Sequence, residues 1–193
     1  MQRNIAASTV RQGFTLVEIL AVMIIIVILM TFVIGAFSWV ETSRREKAAS
    51  LFVERISTGL QSYKADNGEF PDGDGGFDSS NAVYQVLFGD FNDDGIVDKD
   101  KKGTRNTIYV EELNPEQQKG SEALVSKVKG KFCLLDPWGE PYRYRIGFEQ
   151  INTAGKPGKG QNPDFDFWSL GKDSKGNLTN SKEKENSDNI GNF

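Results

Sequence analysis

Histidine is absent from the 193-residue sequence. That removes every Ser-His and Cys-His nucleophile pair and every His-ligated metal site at once. A single cysteine, Cys133, forbids an intramolecular disulfide. It lies in the apolar run Lys-Phe-Cys-Leu-Leu and reads as a small core residue. Positive charge is not in excess: 23 Lys and Arg against 27 Asp and Glu leave a net charge of -4. No basic stripe interleaves with aromatics, so no nucleic-acid surface is expected. Any bound metal must be held by oxygen, which selects hard cations such as calcium or magnesium. Proline is scarce, and none occurs between Phe14 and Asn67.

What is present is concentrated at one end. Phe14 to Val40 is apolar and carries a single charge, Glu18. A bilayer span needs roughly 20 apolar residues for ~30 Å of hydrocarbon. This run would reach about 40 Å as a helix. A carboxylate at bilayer depth costs about 2.5–3.5 kcal/mol on insertion scales. Glu18 therefore either reaches the headgroups from the helix start or meets a positive partner. Met1 to Gly13 carries Arg3 and Arg11 and no acid, as a leader would. The apolar run is too long for a secretory signal, whose core is about 7–15 residues. Ala36-Phe37-Ser38 would nonetheless serve as a signal cleavage site, leaving a chain that starts at Trp39. Orientation is not set by charge, since Arg44, Arg45 and Lys47 follow the span closely.

Beyond Val40 the pattern becomes amphipathic. Ala49, Phe52, Ile56, Leu60 and Tyr63 recur at spacings of three and four, which predicts one helix face. One long helix is expected from Phe14 to about Ala65, stopped by Asp66-Asn67-Gly68. Val83, Val86 and Leu87 predict a short helix. Asp90, Asn92, Asp94, Gly95 and Asp98 fit positions one, three, five, six and nine of a calcium loop. The twelfth position is Lys101 where an acid is required, so a plain acidic turn is the competing reading. Lys131–Leu135, Tyr142–Phe148 and Asp164–Leu170 predict three strands of one small antiparallel sheet. The prolines of Asp136-Pro137-Trp138-Gly139-Glu140-Pro141 make a turn between the first two. Residues 151–162 are a loop rich in glycine and lysine.

Gly13-Phe14-Thr15-Leu16-Val17-Glu18 resembles the leader junction of type IV pilins and pseudopilins. The resemblance implies a cut at Gly13|Phe14 by prepilin peptidase, N-methylation of Phe14, and an assembly role for Glu18 at the fifth mature position. Many relatives have proline where Gly35 stands; glycine also weakens a helix, by ~1 kcal/mol relative to alanine. Tyr63 to Pro71, the Asp136–Tyr142 turn and Phe165–Asp173 are similar to the major pseudopilin of type II secretion. That likeness implies a C-terminal calcium site formed by the carbonyls of Trp168 and Ser169 with Asp173, Asp188 and Asn189, and a further carbonyl near Asn186. Asn189 stands where the family has an acid. The implied fold is α+β, a pilin-like lollipop: a long N-terminal helix, part transmembrane and part amphipathic, packed on a small C-terminal antiparallel sheet. The implied segments are 1–13 leader, 14–40 membrane span, 41–67 amphipathic helix, 68–130 variable region and 131–193 sheet with a calcium-tied loop.

The implied function is that of a non-enzymatic subunit of a secretion pseudopilus. It would sit in the inner membrane by a single span, with its C-terminal domain in the periplasm. The implied partners are further copies of the chain, minor pseudopilins, prepilin peptidase, the inner-membrane secretion platform and membrane lipid. The alternative is a type IV pilin of a surface fibre; many of those carry a C-terminal disulfide loop, which one cysteine forbids. A membrane-anchored calcium-binding or enzymatic domain is the reading from another class.

Overall fold

The computed structural model describes residues 13–99, 103–104, 106–118, 120, 123–176 and 187–192, with the backbone alone over 33–38. The leader before Gly13 lies outside the described residues, as do Asp100, Lys101 and Asn186. The chain divides into two compact units, Met1–Ser43 and Arg44–Phe193.

Helix α1 runs from Leu16 to Asn67 without interruption, 52 residues. No proline breaks it. It ends where Gly68 adopts φ 86° and its N–H bonds back to the Lys64 carbonyl at 2.7 Å. That is a left-handed glycine cap. In the first unit the described side chains of α1 are exposed from Leu16 to Phe32. Among the described residues no helix is long and apolar enough to cross a membrane. Leu16 to Phe32 measures about 25 Å as a helix, short of the ~30 Å hydrocarbon layer. The span expected over 14–40 also depends on the side chains of 33–38, which lie outside the described residues.

In the second unit α1 presents the expected face. Ala49, Phe52, Ile56 and Leu60 are buried, and Val53 joins them. The core they enter is aromatic. Phe52 lies 5.3 Å from the Tyr142 ring, and Tyr142 stacks on Phe167 at 4.8 Å. Tyr63 meets Tyr109 edge-on at 5.7 Å. Aromatic pairs in these geometries add about 0.5–1.5 kcal/mol beyond area burial. The short helix predicted around Val83 is α2, Ser80–Phe88, closed by Gly89 at φ 85°. Two 3-10 turns follow, Glu111–Leu113 and Pro115–Gln117.

The strands form two sheets. β1, Val125–Val128, pairs antiparallel with β2, Lys131–Leu134, across Lys129-Gly130. β3, Arg143–Ile146, β4, Phe165–Ser169, and β5, Ile190–Gly191, form a second sheet in the order β3-β4-β5. The expectation of one sheet with 131–135 as its first strand is corrected: β2 takes β1 as its partner. The isolated bridge Leu135–Pro141 and the Tyr142 N–H on the Leu134 carbonyl at 2.8 Å tie its end to the approach to β3. Pro137 and Pro141 cannot donate to a ladder, so the turn between them ends the pairing.

Asp164–Leu170 alternates apolar and polar residues as a half-buried strand does, yet all five residues of β4 are buried. Phe165 and Phe167 face the core with α1, while Trp168 and Leu170 form a second apolar cluster. Asp166 is fully buried and satisfied. It accepts from Arg145 Nε at 2.8 Å and from the N–H groups of Gln161 at 2.7 Å and Asn162 at 3.0 Å.

Candidate processing site and helix start

Gly13, Phe14 and Thr15 precede α1 in irregular, exposed backbone. A Cβ placed on Gly13 would meet nothing within 4 Å. Phe14 is 82% exposed. The Gly13–Phe14 peptide thus lies outside the hydrogen-bonded helix.

The helix start is capped reciprocally. The Glu18 N–H donates to Thr15 Oγ1 at 3.3 Å, and the Thr15 N–H donates to Glu18 Oε2 at 2.8 Å. The Thr15 hydroxyl also donates to Glu18 Oε2, at 2.9 Å. This is a capping box, which satisfies two donors that a helix N-terminus leaves unpaired. It gives Glu18 a third reading beside the headgroup-seeking residue and the waiting counter-charge. The carboxylate is already solvated by its own helix start, and the positive end of the helix dipole favours it there. The signal was present as Thr15-Leu16-Val17-Glu18, a Thr-x-x-Glu spacing. Cleavage before Phe14 would place a free amine one residue from this box.

Residues 9–34 match the model of the prokaryotic N-terminal methylation motif. The chain carries a prepilin-type N-terminal methylation motif. The matched stretch holds Gly13, Phe14, the capping pair Thr15–Glu18 and the exposed run of α1. None of the curated proteins compared with the chain matches it. A prepilin-type motif implies processing by prepilin peptidase and polymerisation of the product.

The two oxygen-rich stretches of the chain are built differently. In the middle loop Asp90 is fully buried. Its carboxylate accepts from the Tyr84 hydroxyl at 2.8 Å, the Gly95 N–H at 2.8 Å and the Asp94 N–H at 3.1 Å. Asp98 accepts from the Phe91 N–H at 2.7 Å. The Asn92 amide nitrogen lies 3.1 Å from Asp94 Oδ2 and 3.3 Å from Asp98 Oδ1. Asn92, Asp94 and Asp98 are therefore gathered at one point. Amide oxygen and nitrogen are assigned from hydrogen bonding. Here the assignment is fixed: Asn92 Oδ1 accepts from the Asp94 N–H at 2.9 Å, so the amide nitrogen bridges the two carboxylates as a donor.

Asp93, which the calcium-loop pattern passed over, holds this loop in place. It adopts φ 60° and accepts from Asn81 at 2.8 Å, Gln85 at 3.2 Å and the Phe132 N–H at 3.0 Å. Sequence spacing contains no sign of that inward turn.

At the C-terminal stretch β5 lays the tail along β4, pairing Trp168 with Gly191 and Ser169 with Ile190. Gly171 allows the close approach: a Cβ there would sit 2.2 Å from the Asp188 carbonyl oxygen. Asp173 and Asp188 come together, with the Asp173 N–H on Asp188 Oδ2 at 3.1 Å. Asn189 immediately precedes β5. Among the described residues no group of three or more carboxylate or thiol side chains is drawn close enough to hold a metal ion by itself.

Proposed function

We propose that the chain is a structural subunit of a type II secretion pseudopilus and has no catalytic activity of its own. The observation that carries this reading is the motif match over 9–34 on an exposed helix start whose one carboxylate, Glu18, is held by Thr15. Before processing, Phe14 to Val40 anchors the chain in the inner membrane and the second unit faces the periplasm. Prepilin peptidase cuts at Gly13|Phe14 and methylates Phe14. The subunit then leaves the bilayer into a homopolymer whose N-terminal helices pack together. Minor pseudopilins and the inner-membrane secretion platform are its further partners.

Glu18 sets register in that packing. A lone carboxylate and a lone amine in lipid are each costly, and a pair is much less so. An apolar helix exposed on every side slides in lipid with little penalty, so packing alone does not fix its height. The incoming subunit's amine competes with Thr15 for the Glu18 carboxylate and stops the slide. Calcium serves the second unit through Asp173, Asp188, Asn189 and the carbonyls of Trp168 and Ser169. A second ion is held by Asp90, Asn92, Asp94 and Asp98.

Filament electron microscopy beside a processing blot tests the reading. Glu18→Ala is expected to insert and be cleaved normally but to form no filaments. Normal filaments from Glu18→Ala would contradict the role given to Glu18.

A further inference from the structure

The connection between β3 and β4, residues 147–164, is rich in glycine yet closely packed. The Gly147 N–H bonds to the Asp164 carbonyl at 2.8 Å, and the Gly160 N–H to the Ile146 carbonyl at 3.0 Å. A Cβ on Gly147 would sit 2.2 Å from the Pro163 carbonyl oxygen, and one on Gly158 2.1 Å from the Gly147 carbonyl oxygen. Only glycine permits backbones to press together so closely. The tip is a small hairpin in which Ile151 pairs with Pro157. The Lys156 N–H donates to Asn152 Oδ1 at 2.8 Å. The Thr153 N–H donates to Asp72 at 3.0 Å.

This well-bonded loop holds two large apolar side chains in water, Phe148 at 51% and Ile151 at 72% exposure. The same loop exposes Lys156 and Lys159 against one exposed acid, Glu149. An apolar pair with a charged rim, displayed on ordered backbone, has the form of a docking surface.

The same unit offers a complementary groove. A cavity of about 650 Å³ runs between α1 and residues 109–112. Leu51, 66% exposed, lies along it. Gly59 lines its floor, where a Cβ would come within 2.8 Å of Val110 Cγ2. Its charge is acidic: Glu54, Glu111 and Glu112 against Arg55, which is paired with Glu112.

Loop and groove lie on opposite flanks of one helix. Arg55 anchors the groove through Glu112, while Lys64 reaches Asp164 at the end of the loop at 3.1 Å. At ~100° per residue, Arg55 and Lys64 project from opposite sides of α1. A chain therefore cannot fill its own groove with its own loop. A second copy can, and the contact so made is heterologous: each copy still has one free loop or groove. Such contacts repeat into filaments unless the rotation closes a ring.

We propose that the 147–160 loop of one copy docks in the Leu51–Glu112 groove of the next. Phe148 and Ile151 cover Leu51, and Lys156 and Lys159 face the groove's glutamates. The inference rests on the filament reading and names the contact between neighbouring second units.

Disulfide trapping of the full chain in membranes tests it. Ile151→Cys and Leu51→Cys, combined in one chain, are expected to give a ladder of covalent oligomers on mild oxidation. Each variant alone should give none, and the two co-expressed should give dimers only. Cys133 is buried and its thiol is pushed up to about 11 by that burial, so it stays out of the exchange. Lys156→Glu with Lys159→Glu should cut the trapped yield at least fivefold. Adding Glu54→Lys with Glu111→Lys should restore it. No ladder from the double-cysteine chain, or a yield indifferent to charge reversal, overturns the proposal. Abundant dimer from Ile151→Cys alone also overturns it, by showing loop against loop. Wild-type filaments without trapping would refute this contact and leave the filament reading standing. Trapping without filaments would do the reverse.

Discussion

Replacing Asp90 by alanine separates the structural role of the middle loop from its proposed ion. The Asp90 carboxylate is fully buried and accepts from three donors. One of them, the Asp94 N–H, keeps a second acceptor in Asn92 Oδ1 at 2.9 Å. The Tyr84 hydroxyl and the Gly95 N–H lose their partner. A buried donor left unsatisfied costs about 1–3 kcal/mol. Gly95 is only half-buried and water recovers part of its bond, so the expected loss is about 3 kcal/mol. For a unit of this size that corresponds to a fall in Tm of about 6–12 °C. The assay is thermal unfolding of the full chain in detergent, followed by near-ultraviolet circular dichroism in the presence of a chelator. Tyr84→Phe deletes one bond and leaves the carboxylate with its two backbone donors, for about 1 kcal/mol. With calcium added, the wild type gains RT ln(1 + [L]/Kd) and Asp90→Ala gains less. An Asp90→Ala midpoint equal to wild type in chelator would refute the anchoring argument.

Two further predictions follow from the second unit. Asp173→Ala should abolish the calcium-dependent rise in Tm if the C-terminal stretch dominates, and Asn189→Asp should enlarge that rise; a calcium response unchanged in both removes the site. The hydrogen bond from Lys131 holds the Asp78 carboxyl below the usual carboxylate range. A depressed folded value stabilises the fold above the unfolded pKa of ~3.9, and that contribution is lost as pH falls through the folded pKa. Lys131→Met should return the Asp78 titration, read by carboxyl NMR, toward its ordinary value; an unmoved titration would contradict the pairing.

Much of α1 was legible because its two halves follow simple rules. An unbroken apolar run and then a three-and-four spacing both persist long enough to be unambiguous. Tyr142–Phe148 and Asp164–Leu170 showed as strands through alternation. β1 did not, because among Val125–Val128 only Val125 is buried, so no alternation marks it. The separation of β2 from the main sheet was hidden for a related reason: pairing partners are a tertiary choice. Glu18 was weighed by its cost in lipid, and that obscured the Thr-x-x-Glu cap in plain view. The positive φ of Asp93 and the interlocked glycines of 147–160 depend on contacts distant in sequence, which no local window contains. Composition marked 151–162 as a loop but carried no sign of its order, and Gly147 and Phe148, expected at the end of a strand, lie beyond β3.

The claim that the chain is a processed prepilin is tested most directly at its N-terminus. Mass spectrometry of the protein purified from membranes of cells with an active prepilin peptidase should find the mature chain starting at Phe14 with one added N-methyl group. Gly13→Leu should leave the leader attached. A wild-type chain that starts at Met1, or at Trp39 after cleavage behind Ser38, would contradict the account.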